Sequence, residues 1–119
     1  RQAVNAACFA AGKPLVSGAA IRLEGQLSVF DPRRPESPCY HCLYGEGSDA
    51  ELTCSEAGVV GPLVGLVGSL QALEALKLLA QFGDALVGRL LLIDALGTHF
   101  REMRVKRDLK CPVCSARHV

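Results

Sequence analysis

The 119-residue sequence contains no tryptophan and only six phenylalanine and tyrosine residues together. So few aromatic side chains argue against a stacking platform for single-stranded nucleic acid. The sequence also lacks a dominant charge, because 13 Lys and Arg residues stand against 12 Asp and Glu residues, for a formal net charge of +1. Dedicated nucleic-acid-binding domains usually carry a strong basic excess, so we expect no nucleic-acid partner.

No uninterrupted apolar stretch of membrane-spanning length is present either. The longest apolar run, Val59 to Leu70, contains Gly, Pro and Ser and soon meets Gln71, Glu74 and Lys77. A transmembrane helix needs about 20 predominantly apolar residues in succession, so we expect no membrane span. The first residues are typical of an ordinary helix rather than a signal peptide, which favours a cytoplasmic protein. Because the sequence starts without Met and in the middle of a pattern, we interpret it as a fragment.

Half of the residues are hydrophobic, which is enough for one core but, at this length, not for two. We therefore expect residues 1–119 to form a single partial domain. Periodicity and turn residues predict a helix over 1–11 that stops at Gly12 and Pro14, and a strand over 15–20 that is buried on both faces. Residues 21–29 alternate as an antiparallel hairpin with one wet face, broken at Glu24-Gly25. The later elements predicted are a loop over 31–38, a helix over 62–82, a central strand over 90–93 and an edge strand over 99–106.

The helix predicted over 62–82 is apolar around most of its circumference. Its polar residues fall on one stripe roughly 120° wide and are Gln71, Glu74, Lys77 and Gln81. Such a helix must pack against a sheet and also against something else. We expect a homodimer with this helix at or near the interface, where Gly65 and Gly68 would allow close approach. The alternative is that the N-terminal half of a longer protein covers the helix.

Six cysteines require an explanation, and four of them form two Cys-x-x-Cys pairs, Cys39 with Cys42 and Cys111 with Cys114. Zn²⁺ accepts four thiolates tetrahedrally, and a set of four leaves no open position for water. The pattern therefore predicts a structural zinc site at these four cysteines. Compact zinc ribbons separate their pairs by about 12 to 20 residues, whereas 68 residues intervene here, so the metal would join two distant loops. Redox-active or incidental thiols are the alternative.

Cys54 precedes the long helix, whose dipole would lower the pKa of a thiol at its N-terminus. It is the candidate catalytic nucleophile or sulfur acceptor, and an ordinary loop thiol is the alternative. Cys8, on the apolar face of the first helix, is interpreted as a small core residue. His41 and His118 flank the metal site and are interpreted as surface residues, and contact with a metal ligand is the alternative. The basic run from Arg101 to Lys110 is interpreted as a solvated strand face.

Several motifs together resemble the MoeB/ThiF/HesA family, the bacterial relatives of ubiquitin-activating enzymes. They are Lys13-Pro14-Leu15-Val16-Ser17-Gly18-Ala19-Ala20, Glu24-Gly25-Gln26, Pro38-Cys39-Tyr40-His41-Cys42, Cys54-Ser55-Glu56-Ala57-Gly58, Gly68-Ser69-Leu70-Gln71-Ala72-Leu73-Glu74-Ala75 and Cys111-Pro112-Val113-Cys114. The resemblance extends over essentially the whole sequence and is strongest to the branch that serves molybdenum cofactor biosynthesis. It implies an α/β fold: the C-terminal half of a Rossmann-like ubiquitin-activating-enzyme fold, with mixed or antiparallel strands, a long buried helix and a four-cysteine zinc site.

The resemblance also implies an activity. Such enzymes use Mg-ATP to adenylate the C-terminal glycine of a ubiquitin-like sulfur carrier, of the MoaD or ThiS type, and release pyrophosphate. The glycine-rich nucleotide loop belongs to the N-terminal half of the family, so no ATP-binding residue is assigned here and this chain alone is expected to be inactive. Cys54 matches a position where some relatives place a thioester or sulfur-carrying cysteine. The alternatives are activation of the thiamine sulfur carrier, or a zinc-stabilised protein-interaction domain without catalysis.

Overall fold

The computed structural model describes residues 2–45, 58 and 60–115, which form one four-stranded sheet flanked by helices. The elements in chain order are α1 (Gln2–Ala11), β1 (Leu15–Ile21), β2 (Glu24–Phe30), α2 (Tyr40–Tyr44), α3 (Gly61–Ala80), β3 (Arg89–Asp94) and β4 (His99–Arg104). The predicted helices, the strand over 90–93 and the exposed edge strand after His99 are confirmed, with element ends shifted by a few residues.

The sheet is antiparallel throughout, in the order β1-β2-β3-β4. The first hairpin joins β1 to β2, with Leu15 opposite Phe30 and Ile21 opposite Glu24. Its turn lies at Arg22 and Leu23, where Arg22 has a φ of 56°. The predicted hairpin within residues 21–29, with its break at Glu24-Gly25, is therefore wrong. The prediction that residues 15–20 are buried on both faces is also wrong, because β1 is a half-buried edge strand.

Glycine has a packing role rather than a turning role where α3 crosses the first hairpin. A Cβ on Gly18 would lie 2.6 Å from Cδ of Gln71, and one on Gly25 would lie 3.0 Å from Cγ2 of Val67. The absence of side chains at these two positions brings α3 onto β1 and β2. Two hydrophobic clusters follow from this contact, and their buried members are Leu27, Val29, Leu86 and Leu63, Val67, Ile93.

The polar stripe of α3 faces the protein, which reverses the usual arrangement of an amphipathic helix. Glu74 is buried and Lys77 is partly buried, while Gln71 Nε2 donates a 3.4 Å hydrogen bond to the carbonyl of Val16. Leu73, Leu76 and Leu79 are exposed on the opposite side. The predicted burial of most of the circumference is therefore not met among the described residues, since the sheet covers one side only.

Length and composition alone would let α3 cross a membrane. This differs from the expectation drawn from the interrupted run Val59 to Leu70. Core helices of soluble proteins pass the same test, and one side of α3 rests on the sheet with a buried carboxylate at Glu74. The membrane criterion is therefore weak evidence for a span.

Candidate metal centre

The first cysteine pair lies at the start of α2, a five-residue helix that follows the loop over residues 31–38. Cys39 is the N-cap residue, in an extended conformation, and the backbone N–H of Cys42 donates to its carbonyl over 3.0 Å. This single turn places the sulfurs of Cys39 and Cys42 on the same side of α2. The helix ends at Gly45, whose φ of 67° favours glycine.

A buried carboxylate at Asp31 fixes the loop that precedes this pair. Nε and Nη2 of Arg33 donate to its two carboxylate oxygens, each over 2.9 Å, and the backbone N–H of Arg33 donates over 3.0 Å. Burial alone would raise the pKa of Asp31, but these hydrogen bonds and the charge of Arg33 outweigh it and lower the pKa. The Asp31 backbone N–H donates to Ser37 Oγ over 2.9 Å, which closes the loop just before Cys39.

The second cysteine pair lies in successive turns after β4. The backbone N–H of Cys111 donates to the carbonyl of Asp108, and that of Ser115 donates to the carbonyl of Cys111, each over 3.0 Å. Both sulfur-bearing residues, Cys111 and Cys114, are fully buried. The sheet returns the chain to the start of α2, which explains how 68 intervening residues still bring the pairs together.

All four predicted ligand sulfurs lie within 4.8 Å of one another. The Sγ–Sγ distance is 3.8 Å from Cys39 to Cys42, 3.6 Å from Cys39 to Cys111 and 3.4 Å from Cys42 to Cys114. Disulfide sulfurs are about 2.05 Å apart, so these cysteines are free thiols. A tetrahedron of sulfurs about 2.3 Å from a central zinc ion has edges of about 3.8 Å, so the cluster has the size that a tetrathiolate site requires.

Hydrogen bonds between the thiols, together with burial, shift the pKa values of three of the four cysteines. The hydrogen bond between the Cys39 and Cys42 thiols lowers the pKa of Cys42 to about 4 and raises the pKa of Cys39. Burial, together with hydrogen bonding to Cys42, raises the pKa of Cys114 to about 11. Metal binding requires all four thiols to lose their protons, so the raised pKa values of Cys39 and Cys114 oppose binding at low pH.

Backbone and side-chain groups surround the four sulfurs. The backbone N–H of Asp108 donates to Cys42 Sγ and that of Val113 donates to Cys111 Sγ, each over 3.4 Å. His41, predicted to be a surface residue, is partly buried, with Nδ1 3.7 Å from Cys111 Sγ. Arg107 corrects the interpretation of its basic run, because its guanidinium donates to the carbonyl of Cys114 over 2.7 Å instead of facing solvent.

Asn5 is a further site residue that sequence reasoning missed. It is the one buried residue of α1, only 2% exposed, and its Oδ1 accepts a 3.0 Å hydrogen bond from the backbone N–H of Tyr40. The apolar spacing of α1 pointed instead to Val4 and Cys8, but Val4 is exposed and Cys8 is half-buried. A lone asparagine in a short helix gives no sequence signal of this role.

The remaining candidates lie outside the described residues. The candidate catalytic Cys54 and the flanking His118 both belong to that part of the chain, so their predicted roles stay predictions. The cluster of four cysteines is the one group of potential metal ligands found among the described residues.

Comparison with solved structures supports the fold assignment. The chain superimposes on the crystal structure of E. coli MccB with a TM-score of 0.76 at 15% sequence identity, covering 98% of this chain and 35% of that one. At this identity the likeness establishes the fold alone.

Two curated relatives are much closer in sequence. The chain is 51% identical over 114 residues to the molybdopterin-synthase adenylyltransferase of Salmonella typhimurium, covering 96% of this chain and 45% of that protein. It is 44% identical to the sulfur carrier protein ThiS adenylyltransferase of E. coli, with the same coverage of each chain. The chain thus spans less than half the length of these relatives. The ThiF family model matches residues 1–113, a stretch that includes both strands of the first hairpin, α3 and three of the four clustered cysteines, and the chain belongs to the ThiF family.

Proposed function

We propose that this chain is the metal-bearing part of an ATP-dependent adenylyltransferase that activates the C-terminal glycine of a ubiquitin-like sulfur carrier in molybdenum cofactor biosynthesis. The observation that carries the proposal is the high identity, over almost the whole chain, to a relative named for that activity. The four-cysteine cluster joins the start of α2 to the segment after β4 and supports a role for this chain in holding a fixed shape.

In such an enzyme, ATP binding and structural support are contributed by different parts of the protein. Mg-ATP supplies the adenylyl group and the metal charge that offsets charge developing on the phosphates. The 119 residues contain neither a G-x-G-x-x-G motif nor a lysine-bearing P-loop. We therefore assign no ATP contact to this chain and give it the role of a scaffold that keeps its sheet and its metal-linked loops in a fixed arrangement.

We infer that the metal is zinc and that it is structural. Four thiolates are soft donors, and the spacing of the sulfurs fits the tetrahedron that zinc adopts. Since all four positions are occupied by protein, no site remains for a reacting water or substrate. Four free thiols in one cluster also favour a reducing compartment, so we propose a cytoplasmic protein.

We further propose that the exposed apolar face of α3 pairs with the same face of a second copy. The face consists of side chains such as Leu73, Leu76 and Leu79, with nothing within 4 Å of where a Cβ would stand on Gly65 or Gly68. A two-fold axis lets such a face meet itself, and glycines allow two helices to approach closely. Left in water, the face would be a larger apolar patch than soluble monomers usually expose.

Two matched substitutions test the homodimer by sedimentation velocity at micromolar concentration. Leu79 on α3 is 81% exposed, and Leu96 in the turn between β3 and β4 is 80% exposed. The unmodified chain and L96E are expected to sediment as dimers, whereas L79E is expected to sediment as a monomer. If the unmodified chain is a monomer and binds no hydrophobic dye, the apolar face of α3 is covered in some other way. That result would contradict its pairing with a second copy.

The adenylation activity is tested by exchange of labelled pyrophosphate into ATP. We expect the complete protein in which residues 1–119 occur to catalyse exchange with a MoaD-type carrier, and not with the same carrier lacking its C-terminal glycine. The isolated 119 residues should give background exchange. Exchange that does not depend on any carrier would contradict the proposal.

One alternative carrier has a specific observation in its favour. The relative named as the adenylyltransferase of sulfur carrier protein ThiS is also similar to most of this chain. Exchange that depends on a ThiS-type carrier and not on a MoaD-type carrier would favour that branch. No exchange with either carrier would favour a zinc-stabilised interaction domain.

A further inference from the structure

A metal bound by four thiolates creates a buried negative charge. Zinc and four ionised cysteines carry a net charge of −2, and Cys39, Cys111 and Cys114 are buried in this fold. Burying charge is expensive unless hydrogen bonds and opposite charges compensate it. The outer groups that supply this compensation influence metal affinity almost as strongly as the ligands do.

Arg107 lies next to Cys114 and hydrogen-bonds to its backbone. Nη2 donates to the Cys114 carbonyl over 2.7 Å and Nη1 donates to the Pro35 carbonyl over 3.2 Å. These two bonds fix the plane of the guanidinium. The third donor, Nε, is buried and has no hydrogen-bond partner among the described residues. Because Nη2 binds the carbonyl of Cys114, the guanidinium and its buried Nε lie beside this ligand.

Asn5 is placed in the same way at Cys39. Its amide orientation is fixed because the backbone N–H of Tyr40 requires an acceptor and finds it in Asn5 Oδ1. The other half of the amide, Nδ2, is buried without a hydrogen-bond partner among the described residues. Asn5 and Cys39 line the same small cavity, so the amide lies beside this cysteine.

We propose that Arg107 and Asn5 complete the hydrogen-bonding shell of the metal site, with Arg107 Nε donating to Cys114 and Asn5 Nδ2 donating to Cys39 when these sulfurs are metal-bound thiolates. The backbone amides of Asp108 and Val113 serve the other two cysteines. Arg107 also offsets part of the site's negative charge. Through Asn5, helix α1 becomes part of the metal centre, although it contributes no ligand.

Two substitutions separate these donors from their other contacts. N5D keeps the acceptor for Tyr40 but replaces the donor with a carboxylate oxygen, and R107M removes both the donor and the charge. Each is expected to weaken zinc binding by about 10- to 100-fold in competition with a chelating indicator. The matched controls are A6D, which adds the same charge on the exposed side of α1, and R104M, which removes an exposed arginine. Both controls should bind zinc like the unmodified chain.

A spectroscopic measurement distinguishes this role from a general loss of stability. In the cobalt-substituted chain, loss of an N–H···S hydrogen bond makes the thiolate a stronger donor and moves the sulfur-to-cobalt charge-transfer band to lower energy. N5D and R107M should show this shift with undiminished intensity, and R107K, which keeps the charge without the planar fork, should show a smaller one. Bands identical to those of A6D and R104M would overturn the proposal.

The unmodified chain provides a direct test that depends on no variant. When the site is loaded with ¹¹³Cd, couplings across N–H···S bonds should connect cadmium to the Arg107 Hε and Asn5 Hδ2 protons, as well as to the amide protons of Asp108 and Val113. Couplings to backbone amides alone would overturn this proposal while leaving the tetrathiolate site intact. Failure to bind one cadmium per chain would overturn the metal site itself, and neither result depends on adenylation.

Discussion

Replacing Glu74 with alanine should destabilise the fold far more than a helix-surface carboxylate would. The Glu74 side chain is 4% exposed. Its Oε1 accepts a 2.7 Å hydrogen bond from the backbone N–H of Leu86, and its Oε2 forms a 2.8 Å ion pair with Lys77. Leu86 in turn accepts a hydrogen bond from the backbone N–H of Val29, so Glu74 connects α3 through the 84–87 segment to β2.

The expected magnitude follows from these contacts. Leaving the buried Leu86 N–H without an acceptor costs about 1–3 kcal/mol, and losing the buried Cγ methylene group adds about 0.8 kcal/mol. The pair with the partly exposed Lys77 contributes at most about 1 kcal/mol. We therefore expect E74A to lower the free energy of unfolding by about 3 kcal/mol. E74Q keeps the acceptor and the volume, so it should cost only about 1 kcal/mol.

Urea denaturation of the zinc-loaded chain measures these changes. The midpoint should fall while the slope with denaturant stays constant, since the surface exposed on unfolding is unchanged. E102A is the matched control, because Glu102 is 49% exposed and pairs with Arg89 at the surface, and it should cost at most about 1 kcal/mol. Equal losses in E74A and E102A, or in E74A and E74Q, would refute the reasoning.

Three further perturbations have expected outcomes. The folded pKa of Asp31 lies below its ordinary value, so its ion pair stabilises the fold above about pH 4. This stabilisation is lost as the pH falls through the folded pKa. D31N should therefore be less stable than the unmodified chain at pH 7, and the difference in unfolding free energy should shrink below about pH 4. G18V should lower the free energy of unfolding by about 1–3 kcal/mol, because β1 must move away from α3, whereas G65A, with open space at its Cβ, should not. C39S should lose bound zinc and much of its resistance to proteolysis, whereas C8S, at a half-buried thiol outside the cluster, should keep both.

The elements and the cysteine cluster could be predicted from the sequence because their signals are local. The spacing within Cys39–Cys42 and Cys111–Cys114 predicted, without any tertiary information, the four cysteines that the fold brings into one cluster. Likewise, the short apolar run at residues 90–93 identified a central strand of the sheet, now bounded as Arg89–Asp94. Such patterns reflect the geometry of a single turn or a single strand.

The features that the sequence did not predict depend on contacts between distant residues. Gly25 resembles a turn residue, yet it lies within β2 because Val67 packs against it. Glu74 and Lys77 resemble a solvated stripe, yet Glu74 faces inward because the backbone of Leu86 needs an acceptor there. Arg107 resembles one cation among several, and only the fold brings it to Cys114. Hydrophobic periodicity carries no information on such pairings.

The most direct test of the account is the metal content and coordination of the chain purified without added zinc. We predict one zinc ion per chain, with a zinc-edge X-ray absorption spectrum of four sulfur neighbours at about 2.3 Å. The four thiols of Cys39, Cys42, Cys111 and Cys114 should be protected from alkylation until the metal is removed. A stoichiometry well below one, with all four thiols freely titratable, would contradict the metal centre on which the proposed fold stabilisation depends.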